Sequence, residues 1–532
     1  MSRRFTSIKR RKSRQSTTTE TVASQHDMPI NYSVKENLSQ VMETLGHSND
    51  IVSRQFKIGK DNPLEALILF TDGLVDKDLV HNFIMKTLMI DVREVDLGEQ
   101  ITKEEVNFLE IIKDCSLPGA ELSEISTFEE LYENLLAGET ILMLDGYSEA
   151  LVVGSRGWEQ RGIQEPSSEQ VVRGPKDGFT ETLQTNTALI RRRIKDPNLW
   201  IETQNIGKKT QTGVAIAYLN GVVDDGVVKE VKTRLKKINI DSILESGYIE
   251  QLIQDETFTP FPTINYSERP DAISAGILEG RVAILVDGTP FALLVPSLFV
   301  DFFQSPEDYY QRSDISSLVR LLRFFAFFLA LLTPSAYIAV TTFHQEMIPT
   351  TLLISIAAQR EGVPFPAYVE ALIMEITFEI LREAGIRLPR AVGSAISIVG
   401  TLILGQAAVE AGIVSAIMVI VVSLTAISSF VSPSYNMSFS VRLIRFLFMT
   451  LAATFGLFGI ILGIIVMVMH LTSLRSFGIP YLSPMGPFNT EDQKDSLVRM
   501  PLQMLENRPR LINQKDIKRE KGQNQKPPKP SK

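Results

Sequence analysis

The sequence predicts a two-part protein: an α/β water-soluble N-terminal region made of two similar subdomains, then an all-α transmembrane domain of four to five helices. Three observations carry this. Long apolar runs are confined to the last third of the 532 residues. A strand, a glycine-containing turn and a helical pattern, followed by an Asp-Gly hairpin, occur twice in the first 300 residues. Four glutamates recur inside an otherwise apolar helix in the last third.

The apolar runs come first because they set the class. Phe446 to Met469 is 24 residues without a charge, and the 41 residues from Ala391 to Val431 are interrupted only by Glu410. A helix rises about 1.5 Å per residue and a bilayer core is about 30 Å thick, so roughly 20 apolar residues span it. The longer run suits two spans joined near Glu410-Ala411-Gly412.

Composition removes several function classes. A net charge of −8, with no interleaved basic and aromatic stripe, excludes a nucleic-acid binder. A single cysteine, Cys115, permits no intramolecular disulfide and is compatible with a reducing compartment for the soluble part. The histidines His26, His47, His81, His344 and His470 are scattered without metal-ligand spacing, so neither a metal nor another cofactor is expected. Basic residues crowd the N-terminus from Arg3 to Arg14, but no apolar segment follows, so it does not read as a signal peptide. Residues 1–50 read as a disordered basic leader, either free in solution or held at an anionic membrane surface. Residues 1–317 are then expected on the cytosolic side.

The soluble region looks duplicated. Ala66–Phe70 and Val214–Leu219 read as buried strands entering glycine-containing turns and then helical patterns, at an offset of 148 residues. Gly138–Val153 and Gly280–Val295 each read as a strand, an Asp-Gly turn and a return strand, at an offset of 142. Asp145-Gly146 and Asp287-Gly288 supply the positive φ such turns need. These turns read as tight turns ahead of ligand loops. The first subdomain is placed at 51–155 and the second at 205–300, with a linker at 156–204 that contains a helix. Arg191-Arg192-Arg193 on that helix reads as a solvated face, with an interface or phosphate contact as the alternative. Gly207-Lys208-Lys209-Thr210 is not a phosphate loop, because Glu202 stands where the first glycine belongs. No nucleophile elbow or dinucleotide fingerprint is found, so an enzyme is not expected.

The membrane domain is placed at 301–490. Its first span runs over about 321–342, and Pro334 inside it should kink or break the helix. Residues 344–358, with Pro349, read as a re-entrant or interfacial turn. The helix Ala367–Ile386 puts Glu375, Glu379 and Glu383 within an arc of about 80° and Glu370 on the opposite side. Two readings stand: a helix flat on the interface with its acidic face to water, or a span whose carboxylates face a water-filled interior. Repeated around an oligomer, the second makes rings of negative charge that favour cations. Five spans place Arg382, Arg387, Arg390, Arg442 and Arg445 in cytoplasmic loops, as the positive-inside rule prefers, and leave the basic tail outside. Gly459 and Gly463, with Gly456 nearby, allow close helix contact in the last span. Residues 491–532 read as a polar basic tail, disordered at its end.

At these residues the chain resembles the A subunit of the GerA family of spore germinant receptors. The matching stretches include SPEDYYQR (305–312), LTPSAYIAVTTFHQEMIPT (332–350), REGVPFPAYVEALIMEITFEILREAGI (360–386) and SPSYNMSFSVRLIRF (432–446). In the soluble part, VRGPKDGFTETLQTNTALIRRRIKDPNLW (172–200) looks like the same family. The resemblance implies a subunit of a receptor complex in the inner membrane of bacterial spores. It implies work beside a transporter-like B subunit and a C-subunit lipoprotein, and a homo-oligomer that passes monovalent cations when nutrient binds. On that reading Glu375, Glu379 and Glu383 line a pore or vestibule, and Pro334, His344 and Pro349 form a bend near the gate. The competing readings are a nutrient-binding or transport subunit, and a membrane-anchored scaffold.

Overall fold

The computed structural model describes residues 28–58, 64–85, 122–157, 165–166, 169–387, 405–512 and 515–519. The leader through residue 27, Cys115, the 391–431 run through residue 404 and the tail beyond 519 lie outside them. The chain divides into two compact units, one holding the first sheet, the other the second sheet and all that follows.

Two five-stranded antiparallel sheets share one strand order. The first contains β1 (Ile51–Ile58), β2 (Leu64–Thr71), β3 (Leu122–Ile125), β4 (Thr140–Leu144) and β5 (Ala150–Val153), in the order β1-β2-β4-β5-β3. The second contains β6 (Leu199–Ile206), β7 (Thr212–Leu219), β8 (Asn265–Ser267), β9 (Val282–Val286) and β10 (Ala292–Val295), in the order β6-β7-β9-β10-β8. Ile51 faces Thr71 and Leu199 faces Leu219, so register repeats at the 148-residue offset read from the sequence. β4 and β5 recur as β9 and β10 at 142. All four of these hairpin strands are buried throughout. That is why they appear as unbroken apolar runs and not as an alternation.

The first unit carries helices α1 (Val34–Thr44) and α2 (Phe128–Ala137), and the second carries α3 (Leu183–Arg193), α4 (Asp225–Lys237), α5 (Ser246–Ile253) and α6 (Pro270–Leu278). On one face of the second sheet Val231, Leu235, Ile249 and Ile253 meet Val214 and Ile284. On the other, Ile190, Ile273 and Ile277 meet Ala215 and Leu285.

The Asp-Gly turns have a structural task. Asp145 Oδ1 accepts from the Val34 amide at 3.1 Å, at the start of α1, and Gly146 N donates to Tyr32 O. Asp287 Oδ1 accepts from the Leu183 amide at 3.0 Å, at the start of α3, and Gly288 N donates to Glu181 O. Each carboxylate therefore satisfies an otherwise unpaired helix-end amide near the positive end of a helix dipole. Both glycines have φ +87°, which a side chain would resist.

Two expected boundaries move. Residues 28–50 are not leader: they hold α1, an eleven-residue amphipathic helix too polar to stand out. The linker expected at 156–204 contains its helix, α3, and also most of β6, an edge strand whose second half is largely exposed and so carries little apolar signal. Arg191, read as part of a solvated face, is fully buried. It holds both oxygens of Asp50 at 2.9 and 3.1 Å and donates to Leu199 O.

The last part is helical: α7 (Ser313–Thr342), α8 (Thr350–Arg360), α9 (Ala367–Arg387), α10 (Gly405–Glu410), α11 (Ala416–Phe430) and α12 (Tyr435–Ser473). Among the described residues, two helices, α7 and α12, are long and apolar enough to cross a membrane. Ser415 and Ser434 cap α11 and α12 by accepting backbone amides of Met418 and Met437. Pro334 does not break α7, which is continuous.

The expected last span is not one helix. Gly456 has φ +61° and ψ −141°, and there the chain doubles back. Residues eight apart in a straight helix are separated by about 12 Å. Yet a methyl group at Gly459 would collide with the Leu451 carbonyl, and one at Gly463 would lie 2.8 Å from the Phe448 ring. So 435–455 and 457–473 form an antiparallel helical hairpin. Its two ends approach the second α/β sheet region, through Tyr266 OH to Asn436 Oδ1 (3.3 Å) and Thr259 Oγ1 to His470 Nε2 (2.8 Å). Its apex meets Phe343 and His344 at the far end of α7.

The tail also differs from expectation. Ser297 N donates to Ser476 Oγ, Phe299 N to Tyr481 O, and Gln304 Nε2 to Asp495 O. Residues 474–512 thus return to the side of the α/β unit, and Ile512 is buried. With the Gly456 turn adding one reversal of direction, residues 491–512 pack against the chain near 304 and 317, while the end of the expected tail lies outside the described residues.

Candidate functional site

α9 carries the acidic residues, and α12 answers them. Glu375 Oε2 accepts from Arg445 Nη1 at 2.5 Å, and both side chains are at most 1% exposed. Glu379 Oε2 accepts from Arg442 Nη1 at 2.7 Å. Tyr368 OH meets Thr450 Oγ1 at 3.2 Å. As the α9 number rises the α12 number falls, so the two helices run antiparallel. Glutamates spaced i, i+4 meet arginines spaced i, i+3, each set on one helix face.

Glu370, on the other side of α9, is fully buried and accepts from Ser415 N and Oγ at 2.6 and 2.5 Å. Arg360 Nε lies 3.8 Å from it. Glu383 is exposed and pairs with Arg387 one turn along. Arg382 stacks over Phe430 and reaches Ser429 Oγ at 3.4 Å. The three expected pore carboxylates are thus brought to one side of α9, but Glu375 and Glu379 are neutralised by arginine in the single chain.

The ladder is charge-balanced and short of hydrogen bonds. Glu370 Oε2, Glu375 Oε1, Glu379 Oε1, Arg442 Nε, and Arg445 Nε and Nη2 are buried without a hydrogen-bond partner. A buried polar atom left so costs about 1–3 kcal/mol, more when charged. Groups of this kind are met by water, an ion or an altered pairing.

The other expected residues fall elsewhere. His344 lies at the hairpin apex, its Nδ1 3.4 Å from Ala339 O. Pro349 precedes α8, whose residues are mostly exposed. Gly456 is the turn itself, and Gly459 and Gly463 let the hairpin halves approach. Sequence reasoning missed Arg442 and Arg445, which it placed in a loop. They lie inside α12, and their matching face spacing was the signal available.

Two α/β sheets thus precede a helical region in which, among the described residues, two helices are long and apolar enough to cross a membrane. The sequence model of the Bacillus/Clostridium GerA spore germination proteins matches residues 39–511. The chain belongs to that family. Spore germination protein KA of Bacillus subtilis (strain 168) is 51% identical over 498 residues, covering 94% of this chain and 90% of that protein. The uncharacterized membrane protein YfkQ of the same organism is 44% identical over 499 residues, covering 93% and 95%. A crystal structure of the N-terminal domain of the A subunit of the Bacillus megaterium spore germinant receptor GerK3 is 40% identical, with a TM-score of 0.41, covering 51% of this chain and 98% of that one.

Proposed function

We propose that this chain is the A subunit of a spore germinant receptor. Copies of it surround an aqueous path that passes monovalent cations when nutrient is sensed. The observation that carries the reading is the set of buried carboxylates on α9, three of which keep an oxygen without a protein donor. In helices at bilayer depth such groups mark ion or proton paths, since lipid cannot satisfy them.

In this reading the arginines of α12 hold the carboxylates in a closed arrangement. Opening requires α9 to shift against α12, which exposes Glu375 and Glu379 to the path. His344 and the Gly456 turn sit at the far end, where such a shift is hinged. Head and tail lie on one side, so the chain crosses an even number of times, with the hairpin halves as the last two passes. The receptor sits in the spore inner membrane with the α/β region on the core side, beside a transporter-like B subunit and a C-subunit lipoprotein.

The test is flux from liposomes holding the assembled receptor. Nutrient should release K⁺ and not Cl⁻, and crosslinking should show several copies of this chain per complex. A receptor that responds to nutrient by another route, with no cation release, contradicts the reading.

A further inference from the structure

One large apolar side chain in the second unit is held out of the fold by contacts on both sides of it. Phe258 is 93% exposed, in the loop between α5 and β8. Before it, Asp255 Oδ1 accepts from Arg234 Nη2 at 2.7 Å, and Asp255 Oδ2 accepts from the Phe477 amide at 2.6 Å. After it, Thr259 Oγ1 meets His470 Nε2 at 2.8 Å and accepts from the Phe261 amide at 3.2 Å. Phe261 is buried against Phe299 and the His470 ring. Pro260 and Pro262 fix φ on either side of it. Glu256 and Thr257, exposed beside Phe258, are polar, so the ring is the apolar tip of a pinned projection.

The pins locate that tip. His470 and Phe477 flank Ser473, the last residue of α12. Phe458, Leu462, Val466 and His470 recur every four residues and share one face of the helix. The first three are 67%, 43% and 58% exposed, an apolar stripe on a helix long and apolar enough to span. His470, with Thr259 bound to it, stands at the foot of this stripe, about 6 Å along the axis from Val466. Phe258 follows directly, where α12 leaves the bilayer.

A protein partner fits the tip poorly. A stable interface takes about 800 Å² from each partner, and one phenylalanine supplies about 150–250 Å². A bilayer needs no such area, because each apolar side chain that enters its interface is removed from water on its own.

We infer that Phe258 is an insertion tip that seats in the headgroup layer of the bilayer beside the end of α12. Asp255 ties the tip to α4 and Thr259 ties it to α12, so the second α/β region is held at a fixed height over the lipid. The inference rests on the hairpin halves being membrane passes, and the experiment reads that separately.

The full chain is reconstituted in nanodiscs of phosphatidylcholine and phosphatidylglycerol. Cys115→Ser removes the one native cysteine, and a nitroxide is attached to Phe258→Cys, Met469→Cys or Lys209→Cys. Met469, 65% exposed beside His470, reports whether α12 lies in lipid. Lys209 is exposed in the β6–β7 turn, at the end of the sheet away from Ser297 and Ser476. Oxygen should relax the labels at 258 and 469 more than a water-soluble nickel chelate does, with the order reversed at 209. The label at 258 should lie about 5–10 Å into the headgroup and acyl boundary. Phe258→Trp should add emission that phospholipid brominated near the headgroup quenches, beyond that of Trp158 and Trp200 in the unaltered chain. A 258 label relaxed mainly by the nickel chelate, beside a 469 label in lipid, overturns the inference and leaves the span standing, as does added emission that stays unquenched. A 258 label that neither reagent reaches shows another chain seated on the tip and overturns it as well. A 469 label in water overturns both the span and the inference.

Discussion

Arg320 and Arg445 are both buried arginines in apolar helices, both paired with carboxylates, and they are built in opposite ways. Arg320 donates to Asp308 Oδ2, to Asp495 Oδ1, and to the carbonyls of Asp495 and Ser496. Asp308 is held again by Arg323, at 2.8 Å to each oxygen. Arg445 makes one bond, to Glu375, and leaves two nitrogens unpaired. The first cluster ties the foot of α7 to the chain near 308 and 495 through four bonds and leaves only Arg320 Nη2 unpaired. The second is held by single contacts and can exchange partners at small cost. A buried charge held by several contacts fastens a fold, and one held by a single contact is a place where the fold can move.

The largest effect should come from the Arg320 cluster, with its many contacts. Arg320→Leu leaves Asp308 and Asp495 without their shared partner, and should cost about 3–5 kcal/mol. A lowered melting temperature in detergent and faster proteolysis after residue 490 would show it. An unchanged melt would erase the distinction between the two clusters.

The ladder should behave differently. Arg445→Leu alone strands a buried carboxylate and should cost a similar amount, but Glu375→Leu combined with Arg445→Leu should recover most of it, since replacing both members of a buried pair is often neutral. No paired replacement at Arg320 should recover stability, because Asp308 and Asp495 both need it. Melting curves of the four variants decide this.

Much of the α/β region could be read in the sequence, because its signals are local. The buried hairpins and Asp-Gly turns each fit within sixteen residues and recur at fixed offsets. α1 and β6 were hidden because each buries only one side. α1 buries little beyond Val34, Asn37 and Val41, and β6 sets Trp200 and Glu202 beside buried Leu199 and Ile201 but exposes Thr203 and Asn205. The glutamate face of α9 was legible for the same local reason. Its partners were not: Arg442 and Arg445 lie 63 and 70 residues away, and periodicity on one helix says nothing about what faces it. The Gly456 reversal was hidden because a glycine in an apolar run is also how two packed helices look.

The smallest effect concerns a partly buried carboxylate that pairs with no cation among the described residues, Glu250 on α5. Burial, and then the charge of Glu245, raises it from 4.5 to about 7. The folded state therefore favours the protonated form, so its stabilising contribution is complete below about pH 4.5 and is lost as pH rises to about 7. Glu250→Gln should flatten the stability profile across that window and leave it unchanged below. Equal slopes in both proteins would show that Glu250 ionises freely.

The central claim is that the α9 carboxylates face an aqueous path once their arginines release them. The most direct measurement is nutrient-triggered K⁺ flux through reconstituted receptor carrying Glu375→Gln and Glu379→Gln together, with the melting temperature of the purified chain taken alongside. Reduced flux or weakened preference for cations over anions, in a receptor that still assembles, is the predicted result. Flux and selectivity equal to those of the unaltered receptor would contradict it.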